Sequence, residues 1–361
     1  MRKNFDIIHG NPRQCLFAMV LPMMAAMFLN MAYNLVDSLW IGNLLGESAY
    51  AALTAATPIL LLLNSIAMGA TNGVAILLSQ AIGAGETRRT RTILFTSFIL
   101  SIVFSLGMTG LLEGMVSPLL RFLQVPSELY EMTCLYLRIY LIGYGAVYLY
   151  CYFAAVLRSF GDTVFQMLAM LVCTVLNGAL DPLLIHGFGL QGAAAATVLS
   201  QGICLGFMVC YLRKKALFSF HAADWSGKEF GAVCLNSLPA AFQQSIPAIS
   251  TSVLTAIVSG FGVTALAAYG VAGKLELLLF YPAMSFQMVL TTIVGQCIGA
   301  GRRDRAWVYC KTALLWGGGL LIILSCGVVG LAHPLSELFV DSKAVAEVVA
   351  GYFQVVSVGY L

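Results

Sequence analysis

The chain has 361 residues, of which 60% are hydrophobic and 10% charged, and a formal net charge of +3. Soluble globular domains carry about 25% charged residues, so the composition excludes an ordinary soluble fold and indicates an all-α polytopic membrane protein. The small net charge, without a basic cluster interleaved with aromatics, excludes nucleic acid as a partner. The ten cysteines form no CxxC pair and no ligand spacing, so no cofactor is expected.

The chain opens on a polar stretch, MRKNFDIIHGNPRQ. The apolar run after it is too long for a signal-peptide core and has no small-residue cleavage site, so it reads as a retained helix. Ten candidate spans follow: 15–42, 49–79, 93–117, 132–156, 164–186, 190–212, 231–259, 264–296, 308–331 and 345–361. Each approaches or exceeds the roughly 20 residues a bilayer requires. Fifteen of the nineteen Lys and Arg fall on one set of ends and loops, which includes Arg2, Lys3, Arg88, Arg89, Lys214, Arg302 and Arg303. The positive-inside bias therefore puts the N-terminus in the cytoplasm. The expected location is a bacterial inner membrane, and the expected state a monomer.

Within these spans, a few polar residues stand out in chain order. Asp37 lies near the outer end of the first span, with Tyr33, Asn30 and Asn34 before it. Pro22 removes a backbone bond from the same helix and predicts a kink. Asp181 sits in the fifth span with Asn177 one turn before it, on the same face. A break is expected at His186-Gly187, after which Thr197 returns in the sixth span. At 1.5 Å per residue, Asp37, Asp181 and Thr197 all reach the outer half of the bilayer. An acid at the centre of a membrane helix costs about 2.5–3.5 kcal/mol on insertion scales, which marks such residues as functional candidates.

Asp37, Asn177, Asp181 and Thr197 together offer carboxylate, carbonyl and hydroxyl oxygens suited to Na+. Close carboxylates equally suit a proton. The alternative is that both acids lie near helix ends and hydrate from outside. Tyr33, Tyr140 and Tyr144 either stack on aromatic cations or sit at the membrane interface. Gln243 on helix seven, like its neighbour Gln244, either bonds substrate or bonds a neighbouring helix. Four histidines, His9, His186, His221 and His333, fall in loops or at span edges. An intramembrane enzyme is therefore not expected.

The chain also repeats itself. QAIGAG at 80–85 recurs as QCIGAG at 296–301, and the same offset of 216 aligns Gly46 with Gly262, Ala67-Met68 with Ala283-Met284, and Tyr136 with Tyr352. A one-residue insertion matches Leu21-Pro22 to Leu238-Pro239. Two six-helix copies with an even helix count are parallel repeats enclosing a central cleft, the architecture of alternating access. The expected units are a lobe at 1–215, a cytoplasmic loop at 216–230 and a second lobe at 231–361. Leu361 aligns with Gly145, so by repeat arithmetic the second lobe stops after about four helices, about 70 residues short.

In order and spacing, several segments resemble the MATE (multidrug and toxic compound extrusion) transporters. These are Val36-Asp37, Gln80-Ala-Ile-Gly-Ala-Gly, Leu157-Arg158-Ser159-Phe160-Gly161-Asp162-Thr163, Asn177-Gly-Ala-Leu-Asp181-Pro182, Gly192-Ala-Ala-Ala-Ala-Thr197, Lys274-Leu-Glu276, Pro282 and Gly295-Gln296. The resemblance implies a twelve-helix fold in two six-helix lobes. It further implies an H+- or Na+-coupled antiporter that exports drugs, toxins or other organic cations. It assigns ion coupling to the acids matching Asp37 and Asp181, and a protonation-linked change to the helix carrying Pro22. Lys274 and Glu276 would face the second-lobe cavity, or pair with another helix. A lipid-linked oligosaccharide flippase of the same superfamily is the alternative; with Arg138 and Lys274 as the few intramembrane basic residues, it ranks lower.

Overall fold

The computed structural model describes residues 6–123, 125–215, 217, 225–261, 263–337 and 343–356. Among them it forms eleven helices and no strand. In chain order these are α1 (Pro12–Leu45), α2 (Glu47–Gly83), α3 (Thr87–Phe122), α4 (Ser127–Ile142), α5 (Tyr144–Ser159), α6 (Thr163–Phe188), α7 (Leu190–Lys214), α8 (Gly227–Ser259), α9 (Val263–Gly299), α10 (Arg303–Glu337) and α11 (Lys343–Val356). The α1 start is capped: Asn11 accepts from the Arg13 N–H at 3.1 Å, and Pro12 fills the first turn, where its missing donor costs nothing.

The internal repeat is visible in helix lengths. α1, α2 and α3 have 34, 37 and 36 residues; α8, α9 and α10 have 33, 37 and 35. The two copies of the QxIGAG sequence build the same turn, with Gly85 and Gly301 each at φ 72°, a region that favours glycine. At about 1.5 Å per residue, a 37-residue helix exceeds the roughly 30 Å hydrocarbon core, so its end projects beyond the bilayer.

Seven helices are long and apolar enough to cross a membrane, or eight if the α4–α5 pair counts as one. Their outer faces stay apolar: Leu183 of α6 and Leu314 and Leu315 of α10 are 70%, 77% and 74% exposed. Several such residues in one molecule require lipid rather than water around them. The protein is a multi-pass integral membrane protein.

The structure corrects the expected spans in two places. The fourth span is two helices, broken at Gly143 and bent by 49°. A Cβ at Gly143 would drive into the Val198 side chain of α7, so only a glycine fits at the bend. The break expected at His186-Gly187 lies further on, because α6 continues to Phe188 and turns at Gly189, whose φ is 61°. The segment 231–259 is helical within α8, and Leu238, Phe242, Ile246 and Ile249 keep its outer face apolar despite its Gln, Ser and Thr residues. Residues 345–356 of the last expected span lie in α11; residues 357–361, and Gly262 of the repeat alignment, lie outside the described residues, as do His221 and most of the 216–230 loop.

α1 packs along α6 and also touches α7 and α9, while α2 runs along α8 in the most extensive pairing of the molecule and also meets α9. Where α2 and α9 end, beside the arginine-bearing turns, the repeats meet each other. A Cβ on Gly83 would collide with the Gln296 backbone, and one on Gly299 with that of Gln80. Gln296 also donates its amide to the Ser159 carbonyl at 2.7 Å. The two halves of the chain are thus pressed together at this end.

Candidate functional site: a buried acid cluster on the first six-helix unit

Asn177 and Asp181 occupy the same face of α6 because they are four residues apart. The Asn177 amide donates to Asp181 Oδ1 at 3.0 Å, and both residues are 0% exposed. Gly178 between them lets α1 approach: a Cβ there would touch Val36 at 3.4 Å. That contact brings the next α1 residue, Asp37, to the same interior, where it is 9% exposed and close enough to Asp181 for the two charges to repel. Tyr33, one turn before Asp37, is buried facing Thr197 and Ser200 of α7. Pro182 contributes by subtraction, since it lacks the N–H that would otherwise occupy the Gly178 carbonyl.

The cluster is rich in unpaired oxygen. Asp37 Oδ1, Asp181 Oδ2, Asn177 Oδ1 and the Tyr33 hydroxyl are all buried without a hydrogen-bond partner. A buried polar group left unsatisfied costs about 1–3 kcal/mol, so four around one interior are expensive unless a ligand completes them. Because the Asn177 amide nitrogen is committed to Asp181, its carbonyl oxygen is the atom left available. This donor set suits a hard monovalent cation or a proton shared between carboxylates.

The structure brings Asp37, Asn177, Asp181, Thr197 and Tyr33 into one neighbourhood. Tyr140 borders this cluster on the side of Asp37; the other candidates lie elsewhere. Asn34 is exposed and donates to the Asn30 carbonyl on its own helix at 2.7 Å. Tyr140 bonds Asn64 at 3.3 Å, and Tyr144 bonds the Leu63 carbonyl at 2.9 Å, so both tie α4 and α5 to α2. Gln243 is exposed on α8, and Lys274 is exposed on α9. Glu276 accepts from the Tyr352 hydroxyl of α11 at 2.7 Å. α1 is continuous through Pro22. His186 is exposed on the last turn of α6.

Two residues escape a reading of polarity along the spans. Tyr136 of α4 is 3% exposed and lies close to both Asp37 and Asp181. Its repeat partner Tyr352 is the residue bonded to Glu276, so the alignment of the two copies contained a signal for it. Arg158, at the end of α5, is 2% exposed although nothing around it in sequence is acidic before Asp162.

A family model, MatE, matches residues 22–183 and 239–361, two segments that begin at the repeat-related Pro22 and Pro239. A probable multidrug resistance protein from Bacillus subtilis, YpnP, is 29% identical over 84% of this chain and 69% of its own length. An FAD transporter from Shewanella oneidensis is 27% identical over 100% of this chain and 81% of its own length. Among solved structures, a MOP superfamily transporter from Pyrococcus furiosus has the same fold. It superposes with a TM-score of 0.89 at 24% identity, over 100% of this chain and 82% of that one. With two-unit helical architecture, repeat and family match in agreement, the chain belongs to the MatE family, the MATE multidrug efflux transporters.

Proposed function

We propose that this chain is an ion-coupled antiporter that exports small amphipathic organic compounds, cationic ones among them, with H+ or Na+ as the coupling ion. The observation that carries the coupling is the set of four buried, unpartnered oxygens on Asp37, Asn177, Asp181 and Tyr33, with Thr197 beside them. A proton or Na+ entering from the side opposite the arginine-rich ends offsets the repulsion between the two acids and completes those oxygens. With the ion bound, α1 and α6 pack differently than without it, because two facing charges have become one or none. Movement of α1 against α9 then passes that difference to the other half of the chain. Residues 1–215 and 231–361 act as the two rocking lobes, joined by the loop at 216–230, with the N-terminus on the cytoplasmic face of a bacterial inner membrane.

Family members are transporters, which supports transport rather than catalysis. The compounds named for the relatives differ widely, from drugs to FAD, so the substrate has to come from the cleft itself. A flippase role has no separate observation in its favour.

The test is efflux from vesicles under an imposed pH gradient and, separately, an Na+ gradient. Asp37→Asn and Asp181→Asn should each abolish ion-driven export while inserting normally in the membrane. Wild-type efflux in both variants would refute the coupling site, and the gradient that drives wild-type export identifies the ion.

A further inference from the structure

The buried face of α6 changes character along its length. Toward the outer end, Asn177 and Asp181 offer oxygen. One turn nearer the arginine-bearing end, the same face offers sulfur. Met167, Met170 and Cys173 follow one another at three-residue spacing and so lie along one side of the helix. α7 makes the same change. Thr197, Ser200 and Cys204 recur at three and four residues and are all buried, with the hydroxyls beside the acid cluster and the thiol beside the sulfurs. Cys173 and Cys204 are 1% and 0% exposed, and their thiols are in hydrogen-bond contact across the two helices. Met170 is buried in the same cluster, and Met167 packs against it.

These sulfurs are only loosely held by their neighbours. Cys173 donates to Ser200 Oγ at 3.9 Å and Cys204 to the Ala169 carbonyl at 3.6 Å, both long contacts from a weak donor. Tyr150 donates to Met170 Sδ at 3.2 Å and leaves that sulfur a further lone pair. Both cysteines are free thiols. Among the described residues, no three His, Cys, Asp or Glu side chains group as a Zn2+ site would require. Thiols and a thioether without oxygen or nitrogen partners select soft cations instead, Cu+ above all. Charge points the same way. One thiol that gives up its proton balances one positive charge, so a monovalent ion leaves this dry interior neutral.

We infer that Met170, Cys173 and Cys204 form a binding site for a soft monovalent cation, Cu+ or the chemically similar Ag+, which clamps α6 to α7 beneath the acid cluster. The ion bonds to one cysteine sulfur as that thiol releases its proton to solvent. The second thiol and Met170 Sδ complete the shell with lone pairs, and no oxidation state changes. The way in is from the acid cluster: Tyr33, whose hydroxyl is buried without a partner, faces Ser200, the residue to which Cys173 is bonded. A cation drawn by Asp37 and Asp181 meets oxygen donors first, and only a soft one gains by moving on to sulfur. Because α6 and α7 also carry Asn177, Asp181 and Thr197, an ion held here stiffens the wall that bears them. Binding at this site is independent of the ion-coupled export proposed above.

The test titrates the purified full chain with Cu+, without oxygen, against bicinchoninate, a Cu+ chelator that outcompetes isolated surface thiols. Wild type should retain a single Cu+ and melt at a higher temperature with it than without. Cys173→Ala and Cys204→Ala should each weaken retention at least about tenfold. Cys210→Ala, which removes an exposed thiol, should leave it unchanged. X-ray absorption at the copper edge of the wild-type complex needs no variant, and it should show sulfur neighbours alone. Failure of wild type to retain Cu+, or oxygen or nitrogen neighbours around it, overturns the inference. So does undiminished retention in either cysteine variant that folds, or an equal loss in Cys210→Ala.

Discussion

Two aspartates of one helix, α6, show how different a carboxylate can be at its start and towards its other end. Asp181 has one hydrogen bond, from Asn177, and leaves its second oxygen buried and unmet. Asp162 caps α6, accepting from the Phe165 N–H at 3.2 Å, and also accepts from the Tyr211 hydroxyl and from Lys215 at 3.0 Å. Burial pushes the Asp162 carboxyl up, but these bonds outweigh it and hold the group below its ordinary value of 3.8. A depressed folded-state pKa stabilises above the unfolded value and loses that contribution as pH falls through the folded one. Asp162→Ala should therefore cost about 1 kcal/mol near neutral pH. On acidification below about pH 4 the gap to wild type should close, as read from thermal unfolding in detergent at each pH. Asp162 reads as structural because every oxygen is used; Asp181 reads as functional because one is not.

At the scale of the helix, the bend between α4 and α5 is the feature that most shapes the first six-helix unit. It places Tyr136 and Tyr140 of α4 and Tyr144 of α5 against α2 and the acid cluster, and at the bend Gly143, having no side chain, leaves room for Val198. Gly143→Leu should destabilise the chain by about 1–3 kcal/mol through overpacking. Val198→Ala in the same chain should recover part of the loss. Thermal unfolding of the single and double variants checks this, and additivity of the two effects would show that the two positions do not press on each other. The hydropathy of 132–156 is continuous across the bend, because composition is blind to the angle between two apolar helices. α8 shows the converse: its Gln, Ser and Thr residues lower the hydropathy while helical periodicity and the contact with α2 hold the segment in place.

Across the whole molecule, the state described here is closed at the end that carries the arginines. Gly83 and Gly299, equivalent residues of the two copies, each press on the glutamine that opens the other copy's motif. Below them, Arg89 of α3 pairs with the buried Glu229 of α8 at 3.0 Å. Arg305 and Tyr309 of α10 bind the Ile7 carbonyl at 2.7 Å and 3.0 Å, which straps the N-terminal segment to the second half. In the alternating access proposed above, these contacts must part. Gly83→Val and Gly299→Val should shift the population away from this closed end. Cys297, which is fully buried here, should then react faster with a maleimide than in wild type, and export should slow. Unchanged labelling in both variants would mean that the glycine contact does not govern closure.

Much of the architecture was legible in the residues themselves. Apolar length marks where the helices run, because a bilayer permits few other ways to satisfy the backbone. The recurrence of QxIGAG sets the two-fold design, because the same six residues make the same turn. The pairing of Asn177 with Asp181 follows from helical spacing alone. The tertiary structure decided what spacing cannot. It separated Asn34, Gln243 and Lys274 from the acid cluster, since residues on one helix or at one depth can face opposite ways. It joined Tyr136 to Asp37 and Asp181 from a helix distant in the chain. It buried Arg158 behind Asn72, 86 residues away in sequence. Which polar groups end up without a partner depends on every helix that packs around them, and only the folded arrangement determines that.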